Sequence, residues 1–90
     1  WTWQRIQGTA AGTTTVGSTP LRFHSVIVSV QKTGTADFYD TASATSSSAF
    51  MFQLQNTTGT VISGALLDIQ CKKGLVVVTS GTTDFVVTYG

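Results

Sequence analysis

Residues able to do acid, base or nucleophilic chemistry are few in this chain. His24 is the single histidine, Cys71 the single cysteine, and the carboxylates are Asp37, Asp40, Asp68 and Asp84, with no Glu. Any Ser-His-Asp or Cys-His arrangement must be built on His24, with Asp37 or Asp40 orienting the ring. Asp37 and Asp40 stand three apart, and on a strand that spacing sends two side chains to opposite faces. It suits neither a paired acid and base nor a shared ion; only a break in the strand at Tyr39 lets the two converge on calcium. Cys71 and His24 together supply two of the four ligands that zinc normally takes. Lys72 and Lys73 next to Cys71 favour a thiolate, against the ordinary behaviour of a lone cysteine as a small packing residue. Gly8, Gly12 and Gly17 lack the spacing and the following helix of a phosphate-binding loop. The expectation is no catalytic residue, no metal site and no cofactor.

Aromatic residues offer more. Trp1 and Trp3 alternate with Thr2 and Gln4 in a first strand, and a strand with two tryptophans on one face must either close its sheet or dock against another chain. Trp1, Trp3 and Ile6 are therefore the candidate docking residues, and removing residues 1–7 is expected to abolish docking while sparing the fold. A second candidate surface, for a ligand such as a glycan, consists of Asp37, Tyr39 and Asp40 with the Ser-rich stretch Ala42 to Ser48. Phe50, Phe52 and Leu54 alternate with Met51, Gln53 and Gln55, which predicts an inward-facing set and an outward-facing one.

The elements that must position these residues are strands. Of 90 residues, 41% are hydrophobic and only 10% charged, against about 25% charged in an average soluble domain. The chain holds 17 Thr and 9 Ser, and Thr suits a strand surface because it is β-branched. Candidate strands run from Trp1 to Gln7, Thr13 to Val16, Leu21 to Gln31, Thr35 to Thr41, Ala49 to Gln55, Val61 to Lys72, Leu75 to Thr79 and Thr82 to Tyr89. Turns fall at Gly17 to Pro20, Lys32 to Gly34, Asn56 to Gly59, Lys73-Gly74 and Ser80-Gly81. Thr35 to Thr41 reads as the returning arm of a hairpin with Leu21 to Gln31. Seven or eight short strands and no significant helix predict one all-β domain over residues 1–90, an antiparallel β-sandwich of jelly-roll kind, with residues 1–20 as an N-terminal strand and a Gly/Thr-rich arm.

Five Lys and Arg against four Asp leave a net charge of +1, which excludes a nucleic-acid partner by the usual basic footprint. No run reaches the roughly 18 to 20 apolar residues of a membrane span. Nor does the start carry the blocks of a signal peptide; Trp1 in place of an initiator Met is expected to follow a processing site or a leader. So little charge gives weak colloidal protection to a free monomer and favours life in an assembly.

The phrases "LRFHSVIVSV", "GTADFYDT" and "KKGLVVVTSGTTDFVVTYG" resemble small all-β virion proteins of tailed bacteriophages, of the kind that decorate heads or form fibre bases. The resemblance covers Leu21 to Gly90, and the turn in "GLVVVTSGTTD" is its most distinctive part; "WTWQRIQ" lies outside it. It implies a non-catalytic structural role as a capsid decoration or cement protein on the capsid surface, with the major capsid protein as partner and a homotrimer as the assembly. The alternative it leaves open is a tail-fibre module that binds a receptor or glycan.

Overall fold

The computed structural model describes residues 1–28, 33–42, 47–56 and 64–90. Val- and Thr-rich segments with two-residue alternation become eight strands: β1 (Thr2–Gly8), β2 (Gly12–Gly17), β3 (Leu21–Val28), β4 (Gly34–Tyr39), β5 (Phe50–Asn56), β6 (Gly64–Cys71), β7 (Leu75–Ser80) and β8 (Thr83–Tyr89). Among the described residues one 3-10 turn, Ser47–Ala49, precedes β5. Residues 29–32, 43–46 and 57–63 are not among those described; the expected end of the third strand, most of the Ser-rich loop, the turn after Asn56 and the expected strand start at Val61 fall there.

β1 pairs with β8, β2 with β7, β3 with β6 and β4 with β5, all antiparallel. These pairs describe one long hairpin with its apex between β4 and β5. Rolled up so that β3 meets β8 and β4 meets β7, it yields two four-stranded sheets, β1-β8-β3-β6 and β2-β7-β4-β5. This is the jelly-roll sandwich, as expected. The expected hairpin between the third and fourth strands does not form, because β3 and β4 belong to different sheets. A Gly-containing turn specifies that the chain reverses; here the reversal crosses the sandwich.

Alternate side chains of both sheets meet in the core. Ile6, Phe23, Val26, Phe85 and Val87 come from the first sheet, and Ala36, Phe38, Leu75 and Val77 from the second. Phe38 sits at the centre, its ring 4.6 Å from Phe52, 5.3 Å from Phe23 and 5.9 Å from Phe85. Both ends of β4 are clamped. At one end the Gly34 N–H donates to the Thr82 carbonyl at 2.7 Å, and a Cβ on Gly34 would lie 2.5 Å from the Ser80 oxygen. At the other the Asp40 carboxylate accepts from the backbone N–H groups of Lys72, Lys73 and Gly74 at 3.0, 2.9 and 3.3 Å. Asp40 thus caps the β6–β7 turn, 32 to 34 residues away in sequence.

Bulges shift the alternation in three places. On β5 the register slips between Phe38 and Tyr39, so that Phe52 opposes Phe38 while Phe50 opposes Tyr39, with Met51 the extra residue. Met51 consequently packs against the core, and Phe50, expected inward, is 45% exposed. On β3 the partners pass from Phe23 to Ser25, leaving His24 without one against β8. Opposite, β6 carries two residues where β3 has one, and there Asp68 adopts a φ of 52°. Val16 is the extra residue on β2.

Candidate docking face

β1 is the strand on which the expected docking residues lie, and the pleat divides them. Ile6 pairs with Phe85 and points inward, 5% exposed within the core. Ile6 is therefore not available to a partner. Its burial also corrects the expectation that residues 1–7 are dispensable to the fold, because their loss would strip β8 of one of its two neighbours and the core of an apolar side chain. Trp1 and Trp3 point the other way, onto the outer face of the first sheet, and are 70% and 68% exposed.

Three rungs build that face. Trp3 pairs with Thr88 and Thr88 with Ser25; the two hydroxyls of the latter pair hydrogen-bond at 2.5 Å. One rung away Arg5 pairs with Val86 and Val86 with Ile27, and Ile27 is 44% exposed. Beyond Trp3, Arg22 and Gly90 exchange backbone hydrogen bonds at 2.8 and 3.0 Å. Here the Trp1 indole lies over Gly90, where a Cβ would come within 3.0 Å of it. Glycine at 90 leaves room for the indole to reach β3, where it stacks on His24 with ring centroids 3.9 Å apart and planes inclined by 17°. Alternation from the buried Phe23 turns His24 outward, and the bulge sets Ser25 on that same face and returns Val26 to the core. Of the four large apolar side chains that are exposed among the described residues, three (Trp1, Trp3 and Ile27) share this face.

Charge on the face is paired. Arg5 reaches the neighbouring strand, its Nε donating to Asp84 Oδ1 at 2.8 Å and its Nη2 to Oδ2 at 2.7 Å. Those hydrogen bonds, together with the Asp84 charge, raise the Arg5 pKa above its ordinary value, so the guanidinium stays cationic. Arg22 donates to Asp68 at 2.9 Å, with both side chains about half exposed. The polar rim thus holds two ion pairs around an apolar, aromatic centre, the usual anatomy of a protein interface.

The alternative surface is split. Asp37 and Tyr39 share the outer face of the second sheet, where Asp37 accepts from the Gln53 amide at 2.8 Å and Tyr39 meets Phe50 edge to face at 5.6 Å. Asp40 is not part of it, since its carboxylate is taken up by the β6–β7 turn. His24 and Asp37 stand on opposite outer faces of the sandwich, so the structure does not bring together the His-Asp arrangement considered from sequence. Among the described residues no three His, Cys, Asp or Glu side chains gather as metal ligands would.

Cys71 is fully buried, and its thiol pKa is pushed up to about 11 by burial first and by the Asp40 charge second. The two lysines, both exposed, do not lower it. Sequence reasoning missed Ile27 and His24 as members of the first outer face, and Phe50 and Gln53 as members of the second. A signal for the first pair was present: apolar residues fall at 21 and 23, then at 26 and 28, a change of parity that a one-residue bulge near His24 explains. Comparison of this chain with known protein families, with curated proteins and with solved structures finds no match in any of the three.

Proposed function

We propose that this chain is a non-catalytic structural protein of a virion, a capsid decoration or cement protein that docks on the major capsid protein through the outer face of β1-β8-β3-β6. The observation that carries the reading is the gathering of Trp1, Trp3 and Ile27 on one sheet face. Exposed tryptophans at the centre of a polar rim are the residues that dominate binding energy in interfaces. The sequence resemblance to phage virion proteins supports the same reading. So, as an analogy of fold alone, does the jelly roll, an architecture common in viral capsid and lectin domains. The mechanism is mechanical: area buried between decoration protein and capsid, on the order of 1,600 Å² for a standard interface, must be re-exposed before the shell can rupture.

The test is binding of the chain to purified heads. Replacing Trp1 and Trp3 together by Ala is expected to weaken binding at least tenfold while leaving the chain folded, because both indoles lie on the outer face and outside the core. Unaltered head binding by that variant overturns the reading. A glycan-binding tail-fibre module is the second reading, favoured by the grouping of Tyr39, Phe50, Asp37 and Gln53 on the opposite face. Saturable binding to host surface polysaccharide that is lost in Tyr39→Ala would establish it in place of the first.

A further inference from the structure

Four strands stand at the edges of the two sheets: β1 and β6 in the first, β2 and β5 in the second. An edge offers a row of unpaired N–H and C=O groups to any other strand, and bulges, charges and prolines are the usual ways of blunting it. Three of these edges are bulged, β2 at Val16, β5 at Met51 and β6 beside Asp68. β1 is not. All seven of its residues keep an unbroken register against β8. The strand holds no proline and one charge, Arg5, which is turned inward along the sheet to Asp84. Among the described residues, nothing pairs with its other edge.

We propose that the free edge of β1 pairs antiparallel with β1 of a second copy about a two-fold axis at Gln4, joining two first sheets into one of eight strands. This rests on the docking reading above, whose surface it doubles. Pairing a strand with itself is isologous, so each contact occurs twice. An axis at Gln4 opposes Trp3 to Arg5 of the second copy and overlaps residues 1–7. The guanidinium, its N–H edge engaged by Asp84, keeps a flat face for the facing indole. An axis at Arg5 would set that arginine against its own copy, and like charges directly opposite are destabilising. An axis at Trp3 pairs only residues 1–5. Residues opposed across an antiparallel pair point to the same side, so the four tryptophans of the dimer lie on one continuous outer face. A chain with 10% charged residues and a net charge of +1 opposes the association with little repulsion.

Sedimentation equilibrium of the whole chain tests this. The expected mass is twice the 9.5 kDa of one chain, and a monomer or a trimer overturns the proposal. Two exposed-site variants, each checked for an unchanged far-UV spectrum, locate the contact. Trp3→Arg sets like charges against each other twice and is expected to halve the measured mass to that of a single chain. Trp3→Glu sets a carboxylate against Arg5 of the second copy and is expected to leave the dimer mass unchanged. A dimer indifferent to Trp3→Arg uses another surface and overturns the proposal. The two readings fail separately: a dimer that ignores heads sinks the docking reading and supports the pairing, whereas a monomer that binds heads does the reverse.

Discussion

Asp40 and Cys71 lie close together at the start of the β6–β7 turn, and each contributes to the pH dependence of stability, Asp40 on the acid side and Cys71 on the alkaline side. Burial tends to raise the Asp40 pKa, but the three backbone N–H donors at residues 72–74 outweigh it and hold the carboxylate below its ordinary 3.8. A depressed folded value means that its contribution is present above pH 3.8 and is lost as pH falls through the folded pKa. Cys71 behaves oppositely. Its pKa rises from 9.0 to about 11 in the fold, so its contribution is complete below pH 9 and disappears as pH rises toward 11. Melting temperature plotted against pH should therefore show a plateau with an acid shoulder that is reduced by Asp40→Ala and an alkaline one that is reduced by Cys71→Ala. At neutral pH, Asp40→Ala should also lose about 1.5 to 3 kcal/mol, the usual net worth of hydrogen bonding to a charged group, at roughly 4 to 8 °C per kcal/mol in a domain of this size. Thiol reagents at pH 8 should label Cys71 slowly in the native protein and fully in denaturant; rapid native labelling would contradict both its burial and its raised pKa.

Turns and bulges decide how the strands meet. Gly81 lies in the β7–β8 turn with φ at +76°, a left-handed conformation that a Cβ disfavours by roughly 1 to 2 kcal/mol. Gly34 packs against it, 3.2 Å from where that Cβ would stand. Gly81→Ala should lower the melting temperature measurably, and Gly81→Asn less, since Asn tolerates the left-handed region. Gly74 poses a different constraint. A Cβ there would lie 2.5 Å from the Gly17 oxygen and 2.6 Å from that of Thr41, two segments whose backbones cannot retreat cheaply. Gly74→Ala should accordingly be the most damaging of the three glycine variants, as read by thermal unfolding of each. The bulge at His24 works at the same scale: His24 and Ser25 both face outward, and the extra residue returns Val26 to the core that Phe23 occupies.

At the scale of the molecule, one aromatic cluster joins the sheets. Phe38 belongs to the second sheet and touches Phe23 and Phe85 of the first, so Phe38→Ala should open a cavity and lose about 3 to 5 kcal/mol. A domain of this length has only about 5 to 14 kcal/mol in total; chemical denaturation should place the variant near the edge of folding, and Phe38→Leu well short of it. Closure of the sandwich depends on strands remote in sequence, β1 with β8 above all. Folding in milliseconds to seconds is expected by stopped-flow tryptophan fluorescence, as for other domains dominated by non-local pairing.

The amino-acid sequence by itself determined that this is a strand protein, where most strands run, and that Trp1 and Trp3 share a face, because side-chain alternation with a period of two is a local property of the chain. Scarcity of charge and of catalytic groups was equally legible. Which strand lies beside which was not: β3 and β4 adjoin in sequence yet lie in different sheets, since partners are selected by long-range closure of the rolled hairpin. Nor was the side on which each bulged residue falls. One extra residue reverses the parity of all that follows, which is why Phe50 faces solvent and Met51 the core. Ile6 shows the remaining limit. Its place on the face opposite Trp1 and Trp3 was readable from alternation, but only the stacking of the two sheets made that face the core and left the tryptophans outside.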